Sequence, residues 1–203
     1  HTHRVDHGRS ALTQYGEYVS AAGSLRTTLA PDCERRIDLG SDTTVRVLTA
    51  DGSFLRMDCT VEHPRAPLNP RRDNDLGISI LIRHGRFSYF LGGDLTGRGN
   101  RTVDMETKIS AVVGNVDVLR LNHHGSETSS NAVFLTALAP EAVVVSVGNG
   151  GLNAAHYQLP RQAVLDRLES LPQNPRVYLT NQGEGGVLSG ATVANGNVLV
   201  LTT

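Results

Sequence analysis

The stretch DVLRLNHHGSETSS, residues 117–130, sets two imidazoles side by side where an apolar run gives way to turn-forming glycine and serine. Neutral imidazole is a ligand for zinc, iron or manganese, and near neutral pH it also carries protons. Strand alternation sends adjacent side chains to opposite faces. One of His123 and His124 is therefore expected to hold a metal while the other hydrogen-bonds a substrate or orients the first.

Three further stretches carry matching chemistry. The opening HTHRVDHG holds His1, His3, Asp6 and His7, just before a run with helical spacing. A short loop leading into a helix can aim several side chains at one point. In FLGGDLTG, Asp94 follows an apolar run and two glycines, where a carboxylate can bridge two metal ions. In SVGNGGLNAAHYQLP, His156 sits in a Gly/Asn loop after another apolar run. Each feature has a plainer reading: a helix-capping Asp in a polar tail, an Asp in a turn, an exposed loop histidine. Together they say more, because ligands and catalytic groups gather on loops at one edge of a sheet. If these loops converge, they make a site of oxygen and nitrogen donors without thiolate, suited to hydrolysis by a metal-activated water.

The elements that would position these groups are legible in outline. Residues 10–29 have helical spacing. TTVRVLTADGSFLRMDCTV reads as a hairpin turning at Asp51-Gly52, and ISILIRHGRFSYFLGGD as a second hairpin turning within RHGR. Between them, 63–76 carries three prolines and several charges and reads as a loop. Then the pattern alternates: helix in RTVDMETKISAVVG, strand in VDVLRL, helix in SSNAVFLTALA with Ser130 or Asn131 as cap. Strand EAVVVSVG, helix LPRQAVLDRLESL and strand RVYLT follow. The tail reads as two short strands around Asn195-Gly196. Hairpins followed by strand–helix–strand units predict a mixed α/β (α+β) fold of sheets covered by helices.

Length and composition set the bounds. The chain has 203 residues, of which 39% are hydrophobic and 19% charged, as expected for one globular domain or most of a larger one. The net charge of −1 does not advertise a nucleic-acid binder, and no apolar run is long enough to span a bilayer, so no membrane insertion by this chain is expected. Lys108 is the only lysine beside 18 arginines, a bias most simply read as codon usage. Cys33 and Cys59 match no zinc pattern; they are one disulfide or two buried thiols, which leaves the compartment open.

The order of His/Asp box, strand–Gly-Asp, strand–His-His-Gly-Ser, strand–Ser-Val-Gly and loop His resembles the metallo-β-lactamase-fold hydrolases. DVLRLNHHGS, the AVVVSVG strand and VYLT look most like the hydrolase domain of ComEC-type competence proteins, which act in DNA uptake, and of their stand-alone relatives. The likeness covers roughly residues 74–186 and the first ten. It implies a single domain over 1–203, a four-layer αβ/βα sandwich whose first strands are missing from the sequence, with the metal site at one edge. Asp6 and His7 match the last two positions of the family box; His1 and His3 match its first two if one extra residue is allowed. Asp94 matches the bridging carboxylate, and His123 is favoured over His124 as the later ligand. His156 sits where the relatives have His-Pro. The family's middle ligand has no clear histidine here; Asn74 or His63 stands near it.

The resemblance thus implies a metal-dependent hydrolase. His1, His3, Asp6, His7, Asp94 and His123 would hold one or two zinc ions, or manganese, and Asp6, His124 and His156 would take part in catalysis. The favoured substrate is a phosphodiester, nucleic acid included. Two alternatives stand beside it: a degenerate, non-catalytic binding module on the same fold, and a hydrolase of carboxylic esters, lactones or thioesters. The metal, the natural substrate, the compartment and the oligomeric state are open at this stage.

Overall fold

The computed structural model describes residues 14–27, 29–33, 37, 39–40, 42–63, 73–97, 102–149, 157–186, 188–202. His1, His3, Asp6, His7 and His156 lie outside the described residues. A short helix α1 (Gln14–Ala22) runs into a 3-10 turn at Gly23–Leu25. Strands β1 (Thr43–Ala50), β2 (Ser53–Leu55), β3 (Val61–Glu62), β4 (Ser79–His84) and β5 (Phe87–Leu91) follow. From there the chain alternates: α2 (Met105–Val113), β6 (Val118–Arg120), α3 (Ala132–Leu138), β7 (Ala142–Val145), α4 (Gln162–Glu169), β8 (Arg176–Leu179) and β9 (Thr192–Val193).

The described strands form one mixed sheet in the order β3-β2-β1-β4-β5-β6-β7-β8-β9. The first half is antiparallel, built from the two expected hairpins. Asp51 and Gly52 both have positive φ, 48° and 72°, which gives the tight β1–β2 turn its twist. From β5 onward every pairing is parallel, Tyr89 facing Val118, Val118 facing Ala142 and Ala142 facing Arg176. Neighbouring parallel strands need crossovers, and α2, α3 and α4 supply them. Since such crossovers are right-handed, three in the same direction put all three helices on one face, and α2–α3 and α3–α4 are in contact.

The core lies between that helix layer and the sheet. Phe90, Leu119, Leu121, Val143 and Val145 pack against Met105, Ile109, Phe134, Leu135 and Leu165. Phe90 and Phe134 meet edge-on at 5.4 Å between ring centroids. Side chains of the same strands alternate to the second face, where Val118 and Val144 are buried and Ile80, Ile82, Tyr89 and Leu91 are half-buried.

The mixed α/β class is as the sequence predicts. The αβ/βα sandwich would need a second sheet, and the described residues form one. Two local expectations change. Asp73–Leu76, read as plain loop, winds into one 3-10 turn once past the prolines. The tail contributes one strand, not two: β9 adds to β8 in parallel, and Asn195, at φ 51°, turns the chain away while Gly196 N–H donates to the Thr180 carbonyl. Cys33 and Cys59 form a disulfide that ties the segment before β1 to the β2–β3 turn. Among the described residues no helix is long and apolar enough to cross a membrane.

Candidate functional site

The parallel strands β5, β6 and β7 are neighbours, and their C-terminal ends open on the same edge. Ligands in open α/β sheets bind at that edge. The loop after β5 carries Asp94, the loop after β6 carries His123 and His124, and the residue after β7 is Ser146. The register that pairs the strands therefore brings three distant stretches of sequence to one place.

The β6 loop has an unusual backbone. Asn122–Gly125 forms a 3-10 turn in which His123 (φ 48°, ψ 41°) and His124 (φ 56°, ψ 22°) are both left-handed, and Gly125 follows at φ 75°. Left-handed geometry in non-glycine residues is costly and concentrates at functional sites. Because the chain has left the strand, period-two alternation does not govern the rings. They still diverge, with centroids 6.4 Å apart and planes at 64°.

His124 faces Asp94. Its Nε2 lies 3.4 Å from Asp94 Oδ1, and its Nδ1 lies 2.6 Å from the Ser146 carbonyl oxygen. A carbonyl only accepts, so Nδ1 carries a proton and donates it, and Nε2 is the ring nitrogen directed at the carboxylate. That is how metal-ligating histidines are held, with the second nitrogen donating to a backbone carbonyl. Sequence reasoning favoured His123 as the ligand; the imidazole within reach of Asp94 is His124.

His123 occupies the neighbouring position. Its backbone N–H donates to the Gly93 carbonyl at 2.9 Å, fastening the β6 loop to the Gly-Asp loop. Its Nε2 lies 3.4 Å from Asn74 Nδ2, and its Nδ1 3.5 Å from Thr128 Oγ1. Burial holds its pKa below the ordinary value; the Asp94 charge pulls it up and His124 pushes it down. Asn74, noted in the sequence as a stand-in for the middle ligand, is next to the site, whereas His63 is engaged elsewhere, with Nδ1 2.9 Å from Ser53 Oγ.

Beneath these loops lies a residue that the sequence reading passed over. Glu106, in the first turn of α2, is 0% exposed and accepts hydrogen bonds from Asn122, Ser130 and Asn131. An acidic residue one position after an apolar residue in the first helical turn looks like ordinary helix charging, so its sequence carried little signal.

The donor set tests what the site can hold. One carboxylate oxygen and one imidazole nitrogen with its partner nitrogen tied down suit a divalent ion with nitrogen and oxygen ligands, such as zinc or manganese. Among the described residues no group of three or more His, Cys, Asp or Glu is placed to hold a metal. Asp94 and His124 make two, and the expected remainder, His1, His3, Asp6 and His7, lies outside the described residues.

No family model matches the chain. In sequence it is similar to competence proteins. It is 31% identical over 121 residues to ComE operon protein 3 of Bacillus subtilis, covering 59% of this chain and 14% of that protein. It is 30% identical over 98 residues to Recombination protein 2 of Haemophilus influenzae, covering 48% of this chain and 11% of that protein. It is 36% identical over 108 residues to Competence protein ComA of Neisseria gonorrhoeae, covering 51% and 14%. The chain therefore spans a small part of the length of these relatives.

Proposed function

We propose that this chain is a metal-dependent hydrolase of the metallo-β-lactamase type that opens phosphodiester bonds, with nucleic acid handled during DNA uptake as the substrate class. The observation that carries the reading is the approach of Asp94 Oδ1 to His124 Nε2 at 3.4 Å while His124 Nδ1 is fastened to the Ser146 carbonyl. Similarity to competence proteins supports the substrate class. Asp94 and His124 would hold zinc or manganese together with His1, His3, Asp6 and His7. Bound there, the ion would lower the pKa of a water enough to supply hydroxide near neutral pH.

The chain's own residues do the rest. Asp94 and His124 would supply the oxygen and nitrogen donors for the cation at the sheet edge. His123, beside Asp94 and His124 at the same sheet edge, would present a ring N–H to a phosphoryl oxygen and offset the charge that builds there as the ester is attacked. Asn74 stands beside that ring and limits its rotation. His156 is proposed to protonate the leaving oxygen. Relative to the sequence-based expectation, His124 and His123 exchange roles as ligand and charge stabiliser.

The test is hydrolysis of bis-p-nitrophenyl phosphate and of a p-nitrophenyl carboxylic ester by the purified chain, with zinc or manganese added. Phosphodiester cleavage that depends on metal is expected, and Asp94→Asn should lower it by about two orders of magnitude without changing the circular dichroism spectrum. Cleavage of the carboxylic ester alone would replace the phosphodiester reading with an esterase one. A second reading, a non-catalytic module on the same fold, is motivated by the opening box, where Thr2 and Arg4 occupy the family's first two ligand positions unless one extra residue is allowed. Purified protein that binds neither metal and cleaves neither substrate would establish it.

A further inference from the structure

Glu106 is a buried carboxylate that the proposed chemistry does not use. Its Oε1 accepts from Asn122 Nδ2 at 2.7 Å and from the Ser130 N–H at 2.6 Å, and its Oε2 accepts from the Asn131 N–H at 2.8 Å. Asn122 immediately precedes His123, so two oxygens of one side chain grip both ends of the loop that carries the paired histidines. The same residue is tied to the Asp94 loop, because its backbone N–H donates to the Thr96 carbonyl at 3.2 Å. Gly97 then packs directly on the carboxylate: a Cβ there would lie 1.8 Å from Oε2. Gly97 is also bonded across to the histidine loop, its N–H donating to the Thr128 carbonyl and its own carbonyl accepting from Asn131 Nδ2.

Burying a carboxylate carries a desolvation cost that an apolar residue would avoid. Helix and loop here could be joined by apolar packing alone. A carboxylate offers something packing does not: two acceptor oxygens that set distances and directions to three donors on one loop. We infer that Glu106 is a positioning residue, which fixes the loop bearing His123 and His124 against the loop bearing Asp94 and so sets the separation of the two proposed metal ligands. This rests on the metallohydrolase reading of the site for its consequence, though not for its geometry.

Two variants address it. In Glu106→Gln the amide nitrogen meets the Asn131 N–H, donor against donor, and the grip at Oε2 is lost. In Gly97→Ala the new methyl displaces the carboxylate from the other side. The control is Val177→Ala on β8, a core change away from both loops that lowers stability for reasons of packing. The first readout needs no metal: the ring nitrogen chemical shifts of His124 in the metal-free chain. The parent and Val177→Ala should show Nδ1 held protonated by the Ser146 carbonyl, and Glu106→Gln and Gly97→Ala a mixture of ring states. The second is affinity for zinc alone, measured by chelator competition well below the melting temperatures. Both loop variants should bind at least about 10-fold more weakly than the parent, the scale of an outer-shell loss, and Val177→Ala should stay near the parent.

A parent that binds no zinc sinks the metal reading but leaves the tautomer comparison to decide the role of Glu106. Parent-like tautomer spectra in both loop variants, or a Val177→Ala loss of zinc affinity equal to theirs, would overturn the inference. If Glu106→Gln does not fold, Gly97→Ala carries the test by itself.

Discussion

The Thr96 hydroxyl donates a 2.6 Å hydrogen bond to Oδ1 of Asp75, and neither residue reaches solvent beyond 1%. Asp75 Oδ2 also accepts from the Val103 N–H at 3.2 Å. The preceding residue, Asn74, stands beside His123. One buried side chain thus ties the 73–76 turn to the stretch that leads from Asp94 into α2.

Asp75→Ala should therefore destabilise the chain by roughly 2 to 4 kcal/mol, since it leaves the Val103 N–H without its acceptor and opens a small cavity. Urea unfolding followed by circular dichroism measures the change. A loss below about 0.5 kcal/mol would mean that the turn is held by other contacts.

Glu106 makes stability depend on pH. Burial, opposed by its three hydrogen bonds and reinforced by Asp104, raises its carboxyl from 4.5 in the unfolded reference to about 7. The folded chain then binds more protons than the unfolded one between these values. This contribution is fully present below pH 4.5 and is lost as pH rises through 7, a change on the order of 3 kcal/mol. The difference in unfolding free energy between parent and Glu106→Gln, taken at pH 5 and pH 8, isolates it from the histidines. The parent should lose more stability than the variant on going to pH 8; equal losses would show that Glu106 is ionised throughout.

Reduction of the Cys33–Cys59 bond opens a loop with a sequence separation of 26. Chain entropy puts the loss near 3 kcal/mol. A reductant should lower the melting temperature of the parent and leave a Cys33→Ser, Cys59→Ser double variant unmoved. A parent melt unchanged by reductant would show that the bond adds nothing to the folded state.

Much of this was readable before any coordinates. Asp51-Gly52 announced its hairpin because only a few residues accept positive φ on both sides of a tight turn. The start of α3 was announced by Ser130 or Asn131, and of the two it is Asn131 whose side chain caps it, accepting from the Phe134 N–H at 2.9 Å. The nearness of Asp94 to the histidine pair followed from strands that each end in a chemically competent residue. Which of His123 and His124 faces Asp94 was not readable, because it depends on two left-handed residues and on the carbonyl of Ser146, which no side-chain pattern encodes. Glu106 was hidden for a related reason: its role comes from three donors on a loop some 16 to 25 residues onward. The tail misled because an Asn-Gly pair marks a turn but does not say whether a partner strand follows.

The backbone at 123 and 124 has a bearing on how this chain could be made more robust. Glycine at either position would relieve local strain of order 1 kcal/mol or more, and asparagine nearly as much. Random variation screened only for heat resistance would drift toward those residues and discard both rings. Stability and the proposed chemistry are thus set at odds within two adjacent residues, and any attempt to harden the fold should look for its gains elsewhere in the chain.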